Sequence, residues 1–234
     1  MAMRVRGFAK TLDHTLLKPD ATEEDVRKLC GEAAHHHFAA VCVPPCHVRL
    51  AARELRGTDV KVATVVSFPF GADTTAVKAA AIRDAMGGGA SELDVVMNIS
   101  KFLSGGFAYV AEELSSLNGE VSAVAINNGL NDAVLKVIIE TTYLSDNMKR
   151  LAVQIVAASG ADFVKTSTGV GPSVAADDVA LLREEAPEGL AVKASGGIRT
   201  LEEALDLLNA GASRLGTSSS VKIMREAESG GLQE

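Results

Sequence analysis

Short, almost continuously apolar runs alternate along the chain with longer segments in which apolar residues recur at helical spacing. Val60–Ser67 and Leu135–Glu140 are runs of the first kind, whereas Thr22–Ala34 and Thr74–Met86 are segments of the second kind. Continuous apolar runs are typical of strands that are covered on both faces, as in a parallel sheet. The alternation therefore predicts repeated βα units that build a parallel sheet.

Eight segments have the length and composition of strands. In chain order they are Asp13–Leu17, Ala39–Val43, Val60–Ser67, Glu92–Met97, Leu135–Glu140, Asp162–Thr166, Leu190–Ala194 and Ser213–Gly216. Helical segments lie between them, of which the clearest are Thr22–Ala34, Thr74–Met86, Met148–Ser159 and Leu201–Ala210. Eight strands that alternate with helices favour an α/β fold of the closed (β/α)8 or TIM-barrel type over an open sheet.

Two of the helices begin with recognisable caps. Thr22 precedes Asp25 by three positions, and Thr200 precedes Glu203 by three positions. A threonine hydroxyl at such a position accepts a hydrogen bond from a free backbone N–H of the first helical turn. We therefore expect both helices to begin directly after these threonines.

Three parts of the chain do not follow the βα pattern. A short helical or extended lead-in is expected before the first strand. Residues 118–132 are rich in Gly and Asn, and they interrupt the helical spacing, which predicts an irregular connection before the fifth strand. The polar tail after Arg225 is expected to fray.

Size and charge narrow the function further. The chain has 234 residues, which fits one barrel domain of roughly 250 residues, so we expect a single domain over 1–234. A net charge of −7 argues against a nucleic-acid partner, although it allows a local site for an anionic small molecule. No stretch approaches the roughly 18 apolar residues of a membrane span, and residues 1–10 lack the apolar core of a signal peptide. We therefore expect a cytoplasmic protein without a membrane partner.

The histidines give little indication of a metal site. His35, His36 and His37 are consecutive in a predicted helix, so their side chains point in different directions and do not converge on one ion. His14, beside Asp13 in the first strand, is interpreted as a structural residue. No metal is expected.

Charged residues inside apolar strands are the most informative feature of the sequence. Asp94, Lys136, Lys165 and Lys193 all stand within predicted strands. Burying a lysine without a partner costs several kcal/mol of desolvation. Strand residues of a (β/α)8 barrel point either into the barrel or toward the helices, so a lysine in either place requires a specific role.

Lys165 and Lys193 lie about one βα unit apart, near the carboxyl ends of their strands, where barrel active sites are built. If both point inward, burial and like-charge repulsion lower the pKa of one of them and leave a neutral amine. A neutral amine can attack a carbonyl group, and Asp94 can balance charge and pass protons. The alternative interpretation is a buried Lys–Asp–Lys ion network without chemistry.

Glycine-rich loops follow the last two predicted strands. One contains Gly196 and Gly197, and the other contains Ser218 and Ser219. Barrels often bind phosphate at this pair of loops through backbone N–H groups. A third loop, Thr166–Gly169, follows Lys165 directly and can close the same site.

Seven segments together match a known family in order along nearly the whole chain. They are Asp13–Pro19, Ala39–Val43, Val62–Val65, Glu92–Val96, Leu135–Thr141, Ala161–Gly169 and Val192–Thr200. At these segments the chain resembles the deoxyribose-phosphate aldolases. The resemblance implies a cofactor-free class I aldolase that reversibly cleaves 2-deoxy-D-ribose 5-phosphate to acetaldehyde and D-glyceraldehyde 3-phosphate. It also implies a homodimer or homotetramer.

The resemblance assigns roles to residues of this chain. Lys165 is expected to form the Schiff base, Lys193 to perturb its pKa, and Asp94 to relay protons. The phosphate is expected at Gly169, Gly196, Gly197, Ser218 and Ser219. Supporting roles are expected for Asp13, Thr15, Lys136 and Thr168.

The chain also departs from the family pattern, which keeps two alternatives open. Val170 stands where some members have a lysine, and Thr142 stands where glycine is usual. One alternative is a class I aldolase that uses another aldehyde, phosphorylated or not. The other is a barrel that binds a phosphosugar without catalysis.

Overall fold

Eight parallel strands form a closed barrel in the computed structural model, which describes residues 4–130 and 132–231. The strands are β1 (Leu12–Thr15), β2 (Ala40–Val43), β3 (Lys61–Val66), β4 (Glu92–Val96), β5 (Val134–Ile138), β6 (Phe163–Lys165), β7 (Ala191–Ser195) and β8 (Arg214–Thr217). Each strand pairs with its neighbours in chain order, and β8 pairs with β1. The predicted (β/α)8 barrel is confirmed, and the predicted strands are all present with small shifts at their ends.

Helices connect the strands on the outside of the barrel. They are α1 (Val5–Ala9), α2 (Glu23–His36), α3 (Val48–Glu54), α4 (Thr75–Gly87), α5 (Ile99–Leu103), α6 (Phe107–Asn128), α7 (Asp146–Ala158), α8 (Ala176–Glu185), α9 (Leu201–Asn209) and α10 (Ser220–Glu226). The expected lead-in before β1 is α1. In the described part of the chain, no helix is both long and apolar enough to cross a membrane.

Both predicted caps are present. The hydroxyl of Thr22 accepts a hydrogen bond from the backbone N–H of Asp25 at 3.2 Å, and the Asp25 carboxylate accepts one from the backbone N–H of Thr22 at 2.9 Å. Thr200 and Glu203 form the same reciprocal pair. α2 and α9 therefore begin where the sequence predicts.

The prediction of an irregular connection over residues 118–132 is wrong for residues 118–128, whereas Gly129, Leu130 and Asp132 do lie in a non-helical connection to β5. Residues up to Asn128 belong to α6, which ends where Gly129 adopts a left-handed conformation with φ 67°. Leu114, Leu117, Val121 and Ala125 are buried at helical spacing on one face, and this packing outweighs the weak helix propensity of the Gly and Asn residues between them. Asn131 lies outside the described residues.

A substitution at Gly119 tests whether this segment is helical. It is exposed within α6, and a Cβ atom added there meets nothing within 4 Å. Gly119→Ala is therefore expected to raise the free energy of unfolding by about 0.5–1 kcal/mol, because alanine loses less backbone entropy in a helix than glycine does. Urea denaturation measures the change. A lower stability would indicate that this segment is not helical.

The segment after Arg225 is ordered farther than expected. α10 continues to Glu226, and residues Ala227–Gly231 form a further helical turn in which Ala227 is fully buried. Ala227 packs in the apolar core, whereas Glu228, Ser229 and Gly230 are exposed. The last part of the predicted frayed tail, residues 232–234, lies outside the described residues.

The apolar core lies mainly between the barrel and the surrounding helices. Outward-facing strand residues such as Val41, Leu93, Val137 and Val192 pack in this layer. Because successive strand residues face opposite sides, the intervening residues point into the barrel. A small apolar cluster, which comprises Ala40, Cys42, Ala63 and Val65, fills the interior beside β2 and β3. Charged side chains occupy much of the remaining interior.

Candidate active site

Seven charged side chains from six strands meet inside the barrel. They are Asp13 of β1, Glu92 and Asp94 of β4, Lys136 of β5, Lys165 of β6, Lys193 of β7 and Arg214 of β8. All are buried except Arg214, which is partly buried. Strand register brings them together, since Asp94 aligns with Lys136, and Lys165 aligns with Lys193. We call this set the barrel charge cluster.

Asp94 is the centre of the barrel charge cluster. Its Oδ2 atom accepts hydrogen bonds from the Nζ atoms of Lys165 and Lys193, each at 2.7 Å, and its Oδ1 atom accepts one from Lys136 Nζ at 2.9 Å. The three residues that the sequence singles out as catalytic are thus in direct contact. Because Lys165 and Lys193 share one carboxylate oxygen, their amine nitrogens are also near each other.

The two other acids, Asp13 and Glu92, connect the lysines of the cluster to Arg214 of β8. Asp13 bonds to Lys193 and to Arg214, and Glu92 contacts Lys136 Nζ at 2.6 Å and Arg214 Nη2 at 3.0 Å. Sequence reasoning named Asp13 and Lys136 as supporting residues, but it missed Glu92 and Arg214. For Glu92 a signal was available, because it is two positions before Asp94 and so shares the face of that residue.

The charges of the cluster balance only if one lysine is neutral. Three carboxylates face four potential cations, and burying an unbalanced charge is costly. Burial lowers the pKa of Lys165; the attraction of Asp94 opposes this effect, and the like charge of Lys193 adds to it. A neutral Lys165 leaves three cations against three carboxylates.

Lys193 shows the opposite behaviour. Burial by itself would lower its pKa, but the attraction of Asp13 and Asp94 outweighs burial and raises the pKa. For Asp94, burial acts to raise the pKa, whereas Lys136, Lys165 and Lys193 together hold it well below its usual range. The two lysines are therefore distinct in charge, with Lys165 as the amine more easily deprotonated.

A cavity of about 350 Å³ opens at the carboxyl ends of the strands and reaches Lys165. Among the seven cluster residues, only Lys165 lines this cavity. Lys193, Lys136 and Asp13 lie deeper and are fully buried. Thr15 and Thr168, both expected to support the site, line the cavity as well. Of the three lysines in the barrel charge cluster, a carbonyl compound in this cavity can therefore meet only Lys165 directly.

The glycine-rich loops form the other end of the same cavity. Gly169, Gly196, Gly197 and Ser218 line it, whereas Ser219 does not and instead donates its backbone N–H to Thr217 Oγ1 at 2.9 Å. The three glycines have φ values of 85°, 110° and 75°, which L residues with a side chain rarely adopt. This arrangement allows backbone N–H groups to approach an anion closely.

Sequence reasoning missed several residues that line this cavity. Lys18 and Arg199 bring positive side chains to it. Val170, which the sequence already indicated near the phosphate, is exposed at its edge. Ile198 and Phe68 add apolar surface. Lys18 and Arg199 stand in the segments quoted for the family resemblance, but loop position alone does not show that they reach the cavity.

The histidines lie apart from this site. His14 Nε2 contacts Glu32 Oε2 at 2.8 Å, and its ring packs edge-on against Phe38. Burial lowers the pKa of His14. His14 therefore faces the helix layer as a structural residue rather than the cavity.

Comparisons with known proteins agree with this geometry. Residues 8–225 match the model of the DeoC/LacD family aldolases. A protein named deoxyribose-phosphate aldolase from Caldanaerobacter subterraneus is 50% identical over 227 residues, which cover 97% of this chain and 96% of the relative. One from Clostridium kluyveri is 46% identical over 225 residues, covering 96% of this chain and all of the relative.

Solved structures are similar as well. A putative deoxyribose-phosphate aldolase from Coccidioides immitis aligns with a TM-score of 0.89 at 38% identity, covering 97% of this chain and 88% of the other. The deoxyribose phosphate aldolase from Aeropyrum pernix, described as a unique tetrameric structure, aligns with a TM-score of 0.87 at 36% identity, covering 96% and 92% of the two chains. Both alignments cover more than nine-tenths of this chain.

Proposed function

This chain belongs to the DeoC/LacD family of aldolases, and from that membership we propose that it reversibly cleaves 2-deoxy-D-ribose 5-phosphate to acetaldehyde and D-glyceraldehyde 3-phosphate. It is an aldolase, a carbon–carbon lyase, and the reaction proceeds through a lysine Schiff base. Lys165 is assigned as the residue that forms the Schiff base, because it lines the cavity and its Nζ atom donates a hydrogen bond to Asp94.

The first half of the reaction needs a neutral amine. Lys165 Nζ attacks C1 of the open-chain aldehyde, and the carbinolamine loses water to give an iminium. The positive iminium nitrogen draws electrons from the C2–C3 bond. Burial, which lowers the pKa of Lys165, supplies the neutral amine that begins this sequence.

Bond cleavage then follows from proton transfers. When the C3 hydroxyl loses its proton, the C2–C3 bond breaks, D-glyceraldehyde 3-phosphate leaves, and an enamine remains on Lys165. Protonation of the enamine at C2 and addition of water release acetaldehyde and restore the amine. We assign the proton relay to Asp94, because its Oδ2 is within hydrogen-bonding distance of Lys165 Nζ and Lys193 Nζ.

The experiment that tests this function is reductive trapping. The protein is incubated with acetaldehyde or 2-deoxy-D-ribose 5-phosphate and borohydride, followed by intact-mass and peptide mass spectrometry. A reduced adduct on the Lys165 peptide supports the proposal. An adduct on Lys193 would keep the reaction class and reverse the two lysine roles. Binding of the phosphosugar to folded protein without an adduct would instead support a barrel that only binds.

The pH dependence of trapping tests the electrostatic argument. Because burial lowers the pKa of Lys165 from the ordinary 10.5, the rate of adduct formation should rise with pH and level off below pH 10.5. Modification of Lys165 is compared with that of the exposed Lys28 by peptide mass spectrometry, with cyanoborohydride as the reductant. A Lys165 rate that rises in parallel with the Lys28 rate would contradict the argument.

The glycine-rich loops are assigned to bind the 5-phosphate of the substrate. A Cβ at Gly197 would lie 2.0 Å from Ser173 Oγ, and its φ of 75° is unfavourable for alanine by ~1–2 kcal/mol. Gly197→Ala is therefore expected to raise KM for 2-deoxy-D-ribose 5-phosphate by about 10-fold and to leave cleavage of unphosphorylated 2-deoxyribose nearly unchanged. Steady-state kinetics on both substrates measure this difference.

Gly189→Ala is the matched control for Gly197→Ala. Gly189 has a φ of 95°, a Cβ there meets nothing within 4 Å, and the residue does not line the cavity. This variant should lose stability without a change in KM. Equal losses on both substrates in Gly197→Ala would remove the loop from the phosphate site and favour an aldolase for another aldehyde.

The proposal also includes the domain organisation, the location and the assembly of the protein. We propose a single domain over residues 1–234, a cytoplasmic location and assembly into a homodimer or homotetramer; a tetramer is described for the relative from Aeropyrum pernix. No cofactor is needed for the proposed chemistry, because the iminium nitrogen accepts the electrons of the breaking bond.

A further inference from the structure

Glu140, two residues after the end of β5, has an unusual backbone conformation. Its φ of 53° and ψ of 74° lie in the left-handed region, which residues with a side chain adopt at a cost of order 1 kcal/mol. The residue precedes a 3₁₀ turn at Thr141–Tyr143, on the same end of the barrel as the cavity. Backbone strain at such a place needs a compensating contact.

The side chain of Glu140 supplies that contact. It is buried, with 5% of its surface exposed, and its Oε2 accepts hydrogen bonds from the backbone N–H of Thr168 at 3.0 Å and from Thr168 Oγ1 at 2.6 Å. Thr168 follows Lys165 by three positions and lines the cavity. The carboxylate therefore holds the loop after β6 from the side of β5.

Glu140 differs from the other buried glutamates in its partners. Glu92 contacts Lys136, and Glu113 contacts Lys78 at 2.7 Å. Among residues 4–130 and 132–231, no ion pair includes Glu140. Burying a carboxylate without an ion-pair partner costs free energy. The two hydrogen bonds from Thr168 offset part of this cost, so the position of Thr168 and the burial of Glu140 depend on each other.

The loop that Glu140 holds joins both ends of the cavity. Thr168 Oγ1, which donates to Glu140, also accepts from the backbone N–H of Val170 at 3.2 Å. Gly169, between them, faces Gly196 across the phosphate end. A shift of Thr168 would therefore move Gly169 relative to the amine of Lys165.

We propose that Glu140 is a positioning residue that fixes the loop 166–170 and thereby sets the preference of the enzyme for substrates with a 5-phosphate. This inference rests on the proposed function. A carboxylate suits the task because it only accepts hydrogen bonds, so it fixes the direction of the Thr168 hydroxyl proton. Glu140 acts through Thr168 and not on the reacting atoms.

The test compares kcat/KM for 2-deoxy-D-ribose 5-phosphate with kcat/KM for 2-deoxyribose in a set of variants. Glu140→Ala should lower the ratio of the two values by about 10-fold or more, since it removes two hydrogen bonds to a charged acceptor. Glu140→Gln should keep the ratio within about 3-fold, because one amide oxygen can accept both bonds that Oε2 accepts. Rescue by Gln would distinguish positioning from catalysis by charge.

Two further variants keep the experiment decisive. Glu140→Asp retains the charge but is one methylene too short to reach Thr168, so it should lower the ratio as Glu140→Ala does, even if the alanine variant fails to fold. Glu188→Ala, at an exposed glutamate between α8 and β7 that does not line the Lys165 cavity, is the control and should leave the ratio unchanged. Circular dichroism and thermal unfolding accompany each measurement.

The outcomes separate this inference from the proposed function. Wild-type protein without cleavage and without a Lys165 adduct would overturn both. An active wild type whose Glu140→Ala and Glu140→Asp variants keep the ratio, or lose activity equally on both substrates, would overturn only the role of Glu140. A selective loss on the phosphorylated substrate with rescue by Gln is the result that we expect.

Discussion

Lys165→Met is expected to lower kcat for cleavage of 2-deoxy-D-ribose 5-phosphate by about 10⁴-fold or more, while the protein stays at least as stable as the wild type. Loss of a covalent nucleophile removes the main path of the reaction, and what remains is catalysis by positioning alone. Methionine has nearly the length of lysine and fills the same space in the barrel.

The stability half of this prediction follows from charge balance. Without Lys165, the three carboxylates of the barrel charge cluster still face Lys136, Lys193 and Arg214. No buried charge is left without a partner, so the usual penalty for breaking a buried ion pair does not apply. Steady-state kinetics and urea denaturation measure the two halves. A substantial residual kcat would show that another amine forms the Schiff base.

Lys193→Met is the matched control for Lys165→Met. It removes a like charge beside Lys165 and frees Asp94 Oδ2 to attract the remaining ammonium, so the pKa of Lys165 should rise. Activity at neutral pH should therefore be low and should recover partly as pH rises, because more of Lys165 becomes neutral. A variant that lacks Lys165 cannot recover in this way.

Asp94→Asn is the second change with a large expected effect. It removes the negative charge that contacts three lysines, replaces one acceptor oxygen by an NH2 donor, and leaves two carboxylates against three protonated side chains. The free energy of unfolding should fall by about 3–5 kcal/mol, the usual cost of breaking a buried ion pair. The rate of cleavage should fall by about 10²–10⁴-fold, because the proton relay is lost.

The pH dependence of adduct formation at Lys165 should shift in a defined direction in Asp94→Asn. In the wild type, the attraction of Asp94 raises the pKa of Lys165 against the effect of burial. Without that attraction the pKa of Lys165 falls further, so the acidic limb of adduct formation should move to lower pH even though turnover is slower. Trapping with cyanoborohydride across a pH series measures the limb. A shift to higher pH would contradict the assigned electrostatics.

Much of the barrel could be predicted because its signals are local. Apolar runs such as Val60–Ser67 identify strands, and the two-residue period of a strand places Glu92 and Asp94 on one face. The path of α6 through Gly119 could not be predicted in this way. Its stability comes from tertiary burial of Leu117 and Val121, which composition alone does not show.

The candidate site was predictable only in part. The sequence brings Lys165, Lys193 and Asp94 into one interior, but their different exposure depends on how deep each residue lies in the closed barrel. Arg214 and Glu140 were missed because their contacts depend on the closure of the barrel and on a left-handed backbone, which local patterns do not show. Arg214 contacts Asp13 across the β8–β1 closure, and Glu140 contacts Thr168 across two loops.

The acids and the bases of the barrel charge cluster lie in different halves of the chain. Its three acids, Asp13, Glu92 and Asp94, all belong to β1–β4, whereas its four bases belong to β5–β8. Two copies of the first half would bring carboxylates together, and two copies of the second half would bring ammonium and guanidinium groups together. A barrel built from two copies of one half would therefore bury charges of one sign, whereas the native pairing of the two halves brings opposite charges together.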